Sequence, residues 1–242
     1  MTKTVEVCLS PKLYSEKLTE GDFITVITDI FRATTSVVAA LDYGVDAIIP
    51  VADLDKAKVL KKQGYIVAAE REGIKPDFAD IGNSATEFFR PGLKGKIIAY
   101  STTNGVKAIN MSSDAREVIL GAFMNLKAVA DYLSEKEMPV VIFCSGWKNK
   151  VNLEDTLFAG ALADMLLSRH GYATNCDSAH LSMDLWHIAK DDLVGYIEKA
   201  SHRHRLAHLI DENLLNHTFT PDSSKVVPVF KNGKLIRSER SA

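Results

Sequence analysis

Between Val26 and Ser36 the chain reads Val26-Ile27-Thr28-Asp29-Ile30-Phe31-Arg32-Ala33-Thr34-Thr35-Ser36. An apolar, β-branched run ends in an acid and passes at once into a hydroxyl-rich helix start. These residue types suit a phosphate, or a phosphate paired with a metal ion. A carboxylate at a strand end can hold a hard cation. The unpaired N–H groups of a helix N-terminus, the Arg32 guanidinium and the hydroxyls of Thr34, Thr35 and Ser36 can bind an anion. The plainer alternative makes Asp29 or Thr34 a helix cap.

Four further polar clusters follow strand-like runs. Residues 65–69 lead into Glu70-Arg71-Glu72-Gly73, and the loop beyond carries Asp80-Ile81-Gly82-Asn83-Ser84. Residues 96–101 lead into Ser101-Thr102-Thr103-Asn104-Gly105. Residues 139–144 lead into Cys144-Ser145-Gly146, with Asn152-Leu153-Glu154-Asp155 opening the next helix, and residues 117–121 precede Asn125. Scattered surface polarity would not collect hydroxyls, glycines, arginines and paired acids behind successive strands. Asp29, Glu70, Ser101 and Cys144 are therefore expected at one edge of a sheet, around a single cleft.

The elements that must position these residues alternate along the chain. The pattern predicts strands at 4–9, 23–28, 46–51, 65–69, 96–101, 117–121 and 139–144, and helices at 34–43, 53–63, 104–111, 123–134 and 153–169. Short β-branched strands between helices of about ten residues indicate an α/β fold whose sheet is covered by helices on both faces, a three-layer α/β/α arrangement. Ligands in such sheets collect where strands run into helices. The C-terminal part is predicted as polar helices around 187–199 and 203–215. A hairpin over Lys225–Ser238 follows, turning at Asn232-Gly233.

Composition limits the partners. A chain of 242 residues is most simply one domain, 1–242, the alternative being two lobes with the second from about residue 170. Apolar content of 46% and charged content of 25% are those of a soluble globule. A net charge of −2 argues against nucleic acid as a partner, so any anion site must be a local positive cluster. No apolar run reaches membrane-spanning length and no secretory leader is evident. Cys8, Cys144 and Cys176 form neither a disulfide framework nor a CxxC pair. The expectation is a reduced, cytoplasmic protein, alone or as a homo-oligomer.

The motifs Asp29-Ile-Phe-Arg-Ala-Thr-Thr35, Glu70-Arg71-x-Gly73, Asp80-x-Gly82-Asn83-Ser84, Thr102-Thr-Asn-Gly105 and Glu154-Asp155 with Ala159-Gly160 occur in this order. In them the chain resembles the 2-phosphosulfolactate phosphatase family, magnesium-dependent enzymes of coenzyme M biosynthesis. The resemblance spans roughly residues 23 to 165 and extends more weakly through Ser201, Arg205-Leu206, Asp222 and Val227-Pro228. The chain departs from the family at Phe78-Ala79, where Gly-Phe is expected, and at Ala85, where proline is expected. It departs again at Cys144-Ser145-Gly146, where Cys-Ala-Gly is usual. These changes touch loop shape and leave the charged residues in place.

The resemblance implies Mg²⁺-dependent hydrolysis of a small anionic phosphate ester, 2-phospho-3-sulfolactate, to 3-sulfolactate and phosphate. It suggests Asp29, Glu154 and Asp155 as carboxylates near the ion, with Glu70 as an alternative, and Asp29, Arg32 and Glu70 as catalytic groups. Acids in a first helical turn also simply stabilise the helix dipole, by ~0.3–1 kcal/mol. Arg32 and Arg71 are expected to clamp anions through planar, bidentate donors. Thr34, Thr35, Asn83, Ser84, Thr102, Thr103, Asn104, Gly105 and Ser145 complete the expected substrate-binding set. Cysteine chemistry is disfavoured, because Cys144 and Cys176 are followed six residues on by Lys150 and Ser182 rather than arginine. Phe31 stands where a second aspartate of an Asp-x-Asp pair would be, and no Gly-x₄-Gly-Lys-Ser/Thr loop occurs. Direct attack by a metal-organised water is favoured, with an aspartyl-phosphate on Asp29 as the runner-up. His202, His204 and His208 read as a solvated basic helix face outside the site, and Trp147 as a possible wall of it. The competing functions are a phosphatase for another phosphorylated hydroxy acid and a non-catalytic anion-binding protein.

Overall fold

The computed structural model describes residues 3–71, 74–205 and 212–239. Its elements run β1 (Val5–Cys8), α1 (Pro11–Tyr14), β2 (Ile24–Thr28), α2 (Ala33–Tyr43), β3 (Ala47–Pro50), α3 (Leu54–Lys62) and β4 (Ile66–Ala69). They continue with β5 (Ile97–Ser101), α4 (Asn104–Met111), β6 (Glu117–Gly121), α5 (Leu126–Lys136), β7 (Val140–Cys144) and α6 (Leu153–His170). The C-terminal part comprises α7 (Asp177–Ala189), α8 (Leu193–Ile197), α9 (Ser201–Arg205), α10 (Glu212–Phe219), β8 (Pro228–Lys231) and β9 (Lys234–Arg237).

The described strands form one nine-stranded sheet in the order β1-β7-β2-β6-β8-β9-β3-β5-β4. β2 (ITVIT) and β7 (VVIFC) are buried at every position, as strands covered on both faces must be. The first four strands are mutually parallel, and so are the last three. Between these halves lies the C-terminal hairpin, antiparallel to β6 through Val229 and to β3 through Leu235. The hairpin predicted from Asn232-Gly233 is thus present. It is not a terminal appendage but the seam of the sheet.

Three antiparallel steps invert the sense of the ladder, so β2 and β5 run in opposite directions along it. Their carboxyl ends still meet, because Asp29 and Thr102 line one cavity. Right-handed twist, about 20–25° per strand and more in two-stranded ribbons, accumulates over the steps from β2 to β5 and turns the halves toward each other. Helix α2 fills the space between them, with every residue from Ala33 to Leu41 buried. The expectation of one edge is corrected accordingly: the strand ends share a cleft, but they belong to two opposed half-sheets.

The helices predicted at 187–199 and 203–215 are also redrawn. A longer α7 begins at Asp177, the chain breaks after Ala189, and α8 starts where Asp192 caps Gly195 N–H at 2.9 Å. Part of the 203–215 span (206–211) lies outside the described residues, as do Gly73, Leu206 and His208. Ile197, Ala200, Leu214 and Phe219 share one apolar cluster with Val26, Ile119 and Ile142, which anchors the C-terminal helices to the sheet. At the α6–α7 crossing a Cβ on Gly160 would stand 1.9 Å from the Ser182 carbonyl oxygen, so this contact admits only glycine.

Candidate active site

A cavity of about 670 Å³ opens at the converging strand ends. Its floor comes from the β2–α2 turn. Asp29 is 5% exposed, and its Oδ1 accepts the Ala33 N–H at 3.4 Å. The opposite carboxylate oxygen, Oδ2, is the one nearest Gly105, 3.8 Å from the position a Cβ would take there. Asp29 is therefore both a helix cap and a cavity acid. Burial pushes its pKa up to about 6, with Glu70 and Glu154 adding to the rise and His202 and the Ala33 N–H opposing it. Arg32, the N-cap residue of α2, lies in the same wall and is 7% exposed. Burial lowers its pKa, and Tyr100, Glu70, Glu87 and Asp29 counteract that.

The hydroxyls beside it have another task. Thr34 Oγ1 accepts the Asp29 N–H at 3.1 Å and donates to the Asp29 carbonyl at 3.0 Å, while Thr35 Oγ1 donates to the Ile30 carbonyl at 3.0 Å. Both side chains are buried and shape the turn that aims Asp29, so the expectation that they bind phosphate is corrected. Ser36 Oγ donates to the Asn83 carbonyl at 2.6 Å and brings the Asn83 side chain into the lining. Ser84 pairs with Thr86 at 3.1 Å and is not among the lining residues. Asp80 is bound to Lys61 and to the Val67 N–H, a structural tie away from the site.

The β5–α4 junction supplies Thr102, Thr103 and Asn104 to the lining. Thr103 makes no side-chain capping bond, so the first N–H groups of α4 stand open to an anion. Gly105 lies behind them: a Cβ there would come 3.0 Å from that of Ala33. Arg71, at the end of β4, departs from its expected role. Nη1 donates to the Glu70 carbonyl at 2.6 Å and reaches the Ser101 carbonyl at 3.4 Å. Nη2 donates to the Ala52 carbonyl at 3.2 Å and to Ser101 Oγ at 3.0 Å. Most of its donors clip the ends of β3, β4 and β5 together, which corrects the picture of a free anion clamp. Glu70 lines the cavity beside it.

Behind Asp29 the start of α6 carries Glu154 and Asp155, 0% and 1% exposed. Asp155 accepts the Ile30 N–H at 2.9 Å and the Gly146 N–H at 3.1 Å, one on each oxygen. Burial raises its pKa strongly, helped by Glu154 and Asp29 and resisted by those two N–H donors. It acts as a strut between the β2 and β7 loops. Ser145 Oγ is buried without a hydrogen-bond partner among the described residues and does not line the cavity. Asn152 does not cap α6 with its side chain; its amide lies 3.2 Å from His202 Nδ1.

The histidine expectation fails at His202. Helix α9 buries it in the site, with Nδ1 2.7 Å from Glu154 Oε1 and the ring edge-on to Phe31. One turn on, Arg205 also enters the lining, together with Trp147, Lys107 and Lys148. The spacing His202-x-x-Arg205 puts both on one helical face. Among the described residues no three His, Cys, Asp or Glu side chains converge as a metal-binding group. Both oxygens of Asp155 already accept N–H donors, which leaves Asp29, Glu154 and the alternative Glu70 as candidate carboxylates; Glu154 Oε2 is buried with no hydrogen-bond partner among the described residues. Among those residues, too, no helix is long and apolar enough to cross a membrane.

Comparison with known proteins shows the family. The family model of 2-phosphosulpholactate phosphatase matches residues 8–233. A probable 2-phosphosulfolactate phosphatase of Thermotoga maritima is 34% identical over 214 residues, covering 88% of this chain and 92% of the relative. Proteins of the same description from Caldanaerobacter subterraneus and Carboxydothermus hydrogenoformans are 33% identical over 219 residues (89% of this chain, 90% of the relative) and 39% over 175 (71% and 72%). With the match running through every element that lines the cavity, this chain belongs to the 2-phosphosulfolactate phosphatase family.

Proposed function

We propose that the chain is a phosphoric monoester hydrolase that converts 2-phospho-3-sulfolactate to 3-sulfolactate and inorganic phosphate, with Mg²⁺ as its ion. The observation that carries this reading is the convergence of Asp29, Arg32 and the uncapped start of α4 on one cavity, in a chain of that family. A protein that only captured anions would gain nothing from lining the same cavity with the carboxylates of Asp29 and Glu70.

The donor set fits Mg²⁺, which is commonly held by one or two carboxylates with water and substrate phosphate completing its shell. Glu154 Oε2, buried and unpartnered among the described residues, and Asp29 would hold it. When bound, the ion supplies positive charge and Lewis acidity at a phosphoryl oxygen. The protein's own groups do the rest. The Arg32 guanidinium and the N–H groups of Thr103 and Asn104 cradle the phosphoryl oxygens and stabilise the charge that builds on them in the transition state. A water attacks phosphorus as the ester P–O bond breaks. Glu70, the other carboxylate lining the cavity, takes the proton that this water releases, and the departing ester oxygen leaves as the sulfolactate hydroxyl after protonation from the same group. Asp155 keeps the two loops in register throughout.

Purified protein should release phosphate from 2-phospho-3-sulfolactate, lose that activity in excess EDTA and regain it with Mg²⁺. Full turnover in chelator with no bound metal detected would exclude the ion from the reaction. No turnover of this ester with Mg²⁺ present would exclude the substrate.

A further inference from the structure

One wall of the cavity is built from parts far apart in sequence and is strongly positive. Trp147 and Lys150 exchange main-chain N–H···O bonds of 3.1 and 2.9 Å, and Lys148 (φ 51°) and Asn149 (φ 64°) turn between them in the left-handed region. This tight two-residue turn presents the indole to the cavity. Lys107 Nζ, from α4, donates to Asn149 Oδ1 at 2.7 Å and braces the turn. The Arg205 guanidinium lies 3.8 Å from the Trp147 ring centroid, and Lys148 Nζ lies 4.5 Å from the same ring. Stacking on an aromatic face fixes the plane of a guanidinium and leaves its edge donors available. Arg205 Nη1 donates to Ser201 Oγ at 3.2 Å, while Nη2 is buried without a partner among the described residues. Arg71, the other arginine expected to clamp an anion, also lines the cavity but places its donors on the Glu70, Ser101 and Ala52 carbonyls and on the Ser101 hydroxyl.

We propose that Arg205, held flat by Trp147 and flanked by Lys148 and Lys107, binds the sulfonate of the substrate and sets the preference for sulfonated phosphate esters. The inference rests on the phosphatase reading and deepens it. A sulfonate carries a full charge spread over three oxygens, which suits planar, pre-oriented donors. Arg32 and the α4 start are assigned to the phosphate, and Arg71 lines the cavity with its guanidinium tied to the strand ends, so this wall supplies the cavity's other cationic groups. Helix α9 becomes the specificity element of an active site whose acids, Asp29 and Glu154, come from earlier in the chain.

The test compares 2-phospho-3-sulfolactate with 2-phospholactate, the same ester without its sulfonate. For Arg205→Met the ratio of kcat/KM values, sulfonated over plain, should fall at least tenfold, chiefly through KM. Arg205→Lys should lose part of that ratio, and Trp147→Ala should shift it in the same direction. Arg205→Gln carries the test if the Met variant does not fold. An unchanged ratio would overturn the subsite. Calorimetric titration separates this from the phosphatase reading. Sulfoacetate should bind the variant at least tenfold more weakly than wild type, and inorganic phosphate should bind both alike. Wild-type protein that binds sulfoacetate through Arg205 yet hydrolyses neither ester would refute the phosphatase and keep the subsite. Equal weakening of sulfoacetate and phosphate would refute the subsite.

Discussion

Replacing Asp29 with asparagine is expected to stabilise the fold at neutral pH while removing activity. The carboxyl is buried, and its folded pKa stands near 6 against an ordinary 3.8. That gap corresponds to ~3 kcal/mol of unfavourable free energy once the group is ionised in both states. The sign follows from the direction of the shift. Below pH 3.8 the group is protonated folded or unfolded and costs nothing. Between 3.8 and about 6 only the unfolded chain releases the proton, and stability drains away as pH rises. Above about 6 the full cost is present. Asparagine keeps an oxygen for the Ala33 N–H and carries no charge toward Glu70 and Glu154, but it forfeits the attraction to His202. The net gain for Asp29→Asn at pH 7.5 should be ~2–3 kcal/mol, or roughly 4–10 °C in Tm for a chain of this size. Guanidinium melts of both proteins in EDTA from pH 4 to 8 would measure it, with activity assayed in parallel. A stability gap that does not grow with pH, or a variant less stable than wild type at pH 7.5, would refute the account of Asp29 as a desolvated acid.

Arg32→Ala should lower kcat/KM for sulfonated and plain esters alike, by roughly 10- to 150-fold. Removing charged donors to the phosphoryl group costs ~1.5–3 kcal/mol, and steady-state kinetics on both substrates would show the ratio unmoved. Arg71→Met should act on the fold instead, lowering stability by ~2 kcal/mol in denaturant melts because it unties the ends of β3, β4 and β5. A larger effect on substrate preference than on stability would restore Arg71 as an anion clamp. Gly160→Ala forces a methyl into the Ser182 carbonyl and should cost ~1–3 kcal/mol or more, read as an earlier midpoint in guanidinium. A stability within 0.5 kcal/mol of wild type, roughly the scatter of surface substitutions, would mean that α6 and α7 can separate freely.

What could be read from the chain divides by the range of the interaction that decides it. Strands and helices around Asp29, Thr102 and Glu154 follow from local pattern, since a β-branched run closed by a polar turn has few other uses. Their meeting in one cavity was legible because strand ends and helix starts recur together. The seam of the sheet was not legible. Hairpin pairing at residues 232–233 is a local signal, but its partners, β6 and β3, are chosen by the twist of the whole sheet. The positive wall escaped for a related reason. Helix α9 has five residues, too few to show a period, and its two histidines and two arginines look like a solvated face.

Burial reverses that reading at one position and not at the next. His202 is 6% exposed against Glu154, whereas His204 is exposed, although the two are indistinguishable by type and neighbourhood in sequence. Arg71 and Arg205, two of the three arginines lining the cavity, divide in the same way. Arg71 sits beside an acid at a strand end, the pattern that suggests anion binding. Yet the same position faces the open carbonyls of three strand ends, and a guanidinium is the one side chain with enough donors to serve them all. Arg205 comes from an unremarkable basic stretch and keeps its donors because an indole, not a carbonyl, holds it. Local charge pattern therefore locates the cavity, but what each cation faces decides which of them can reach a ligand.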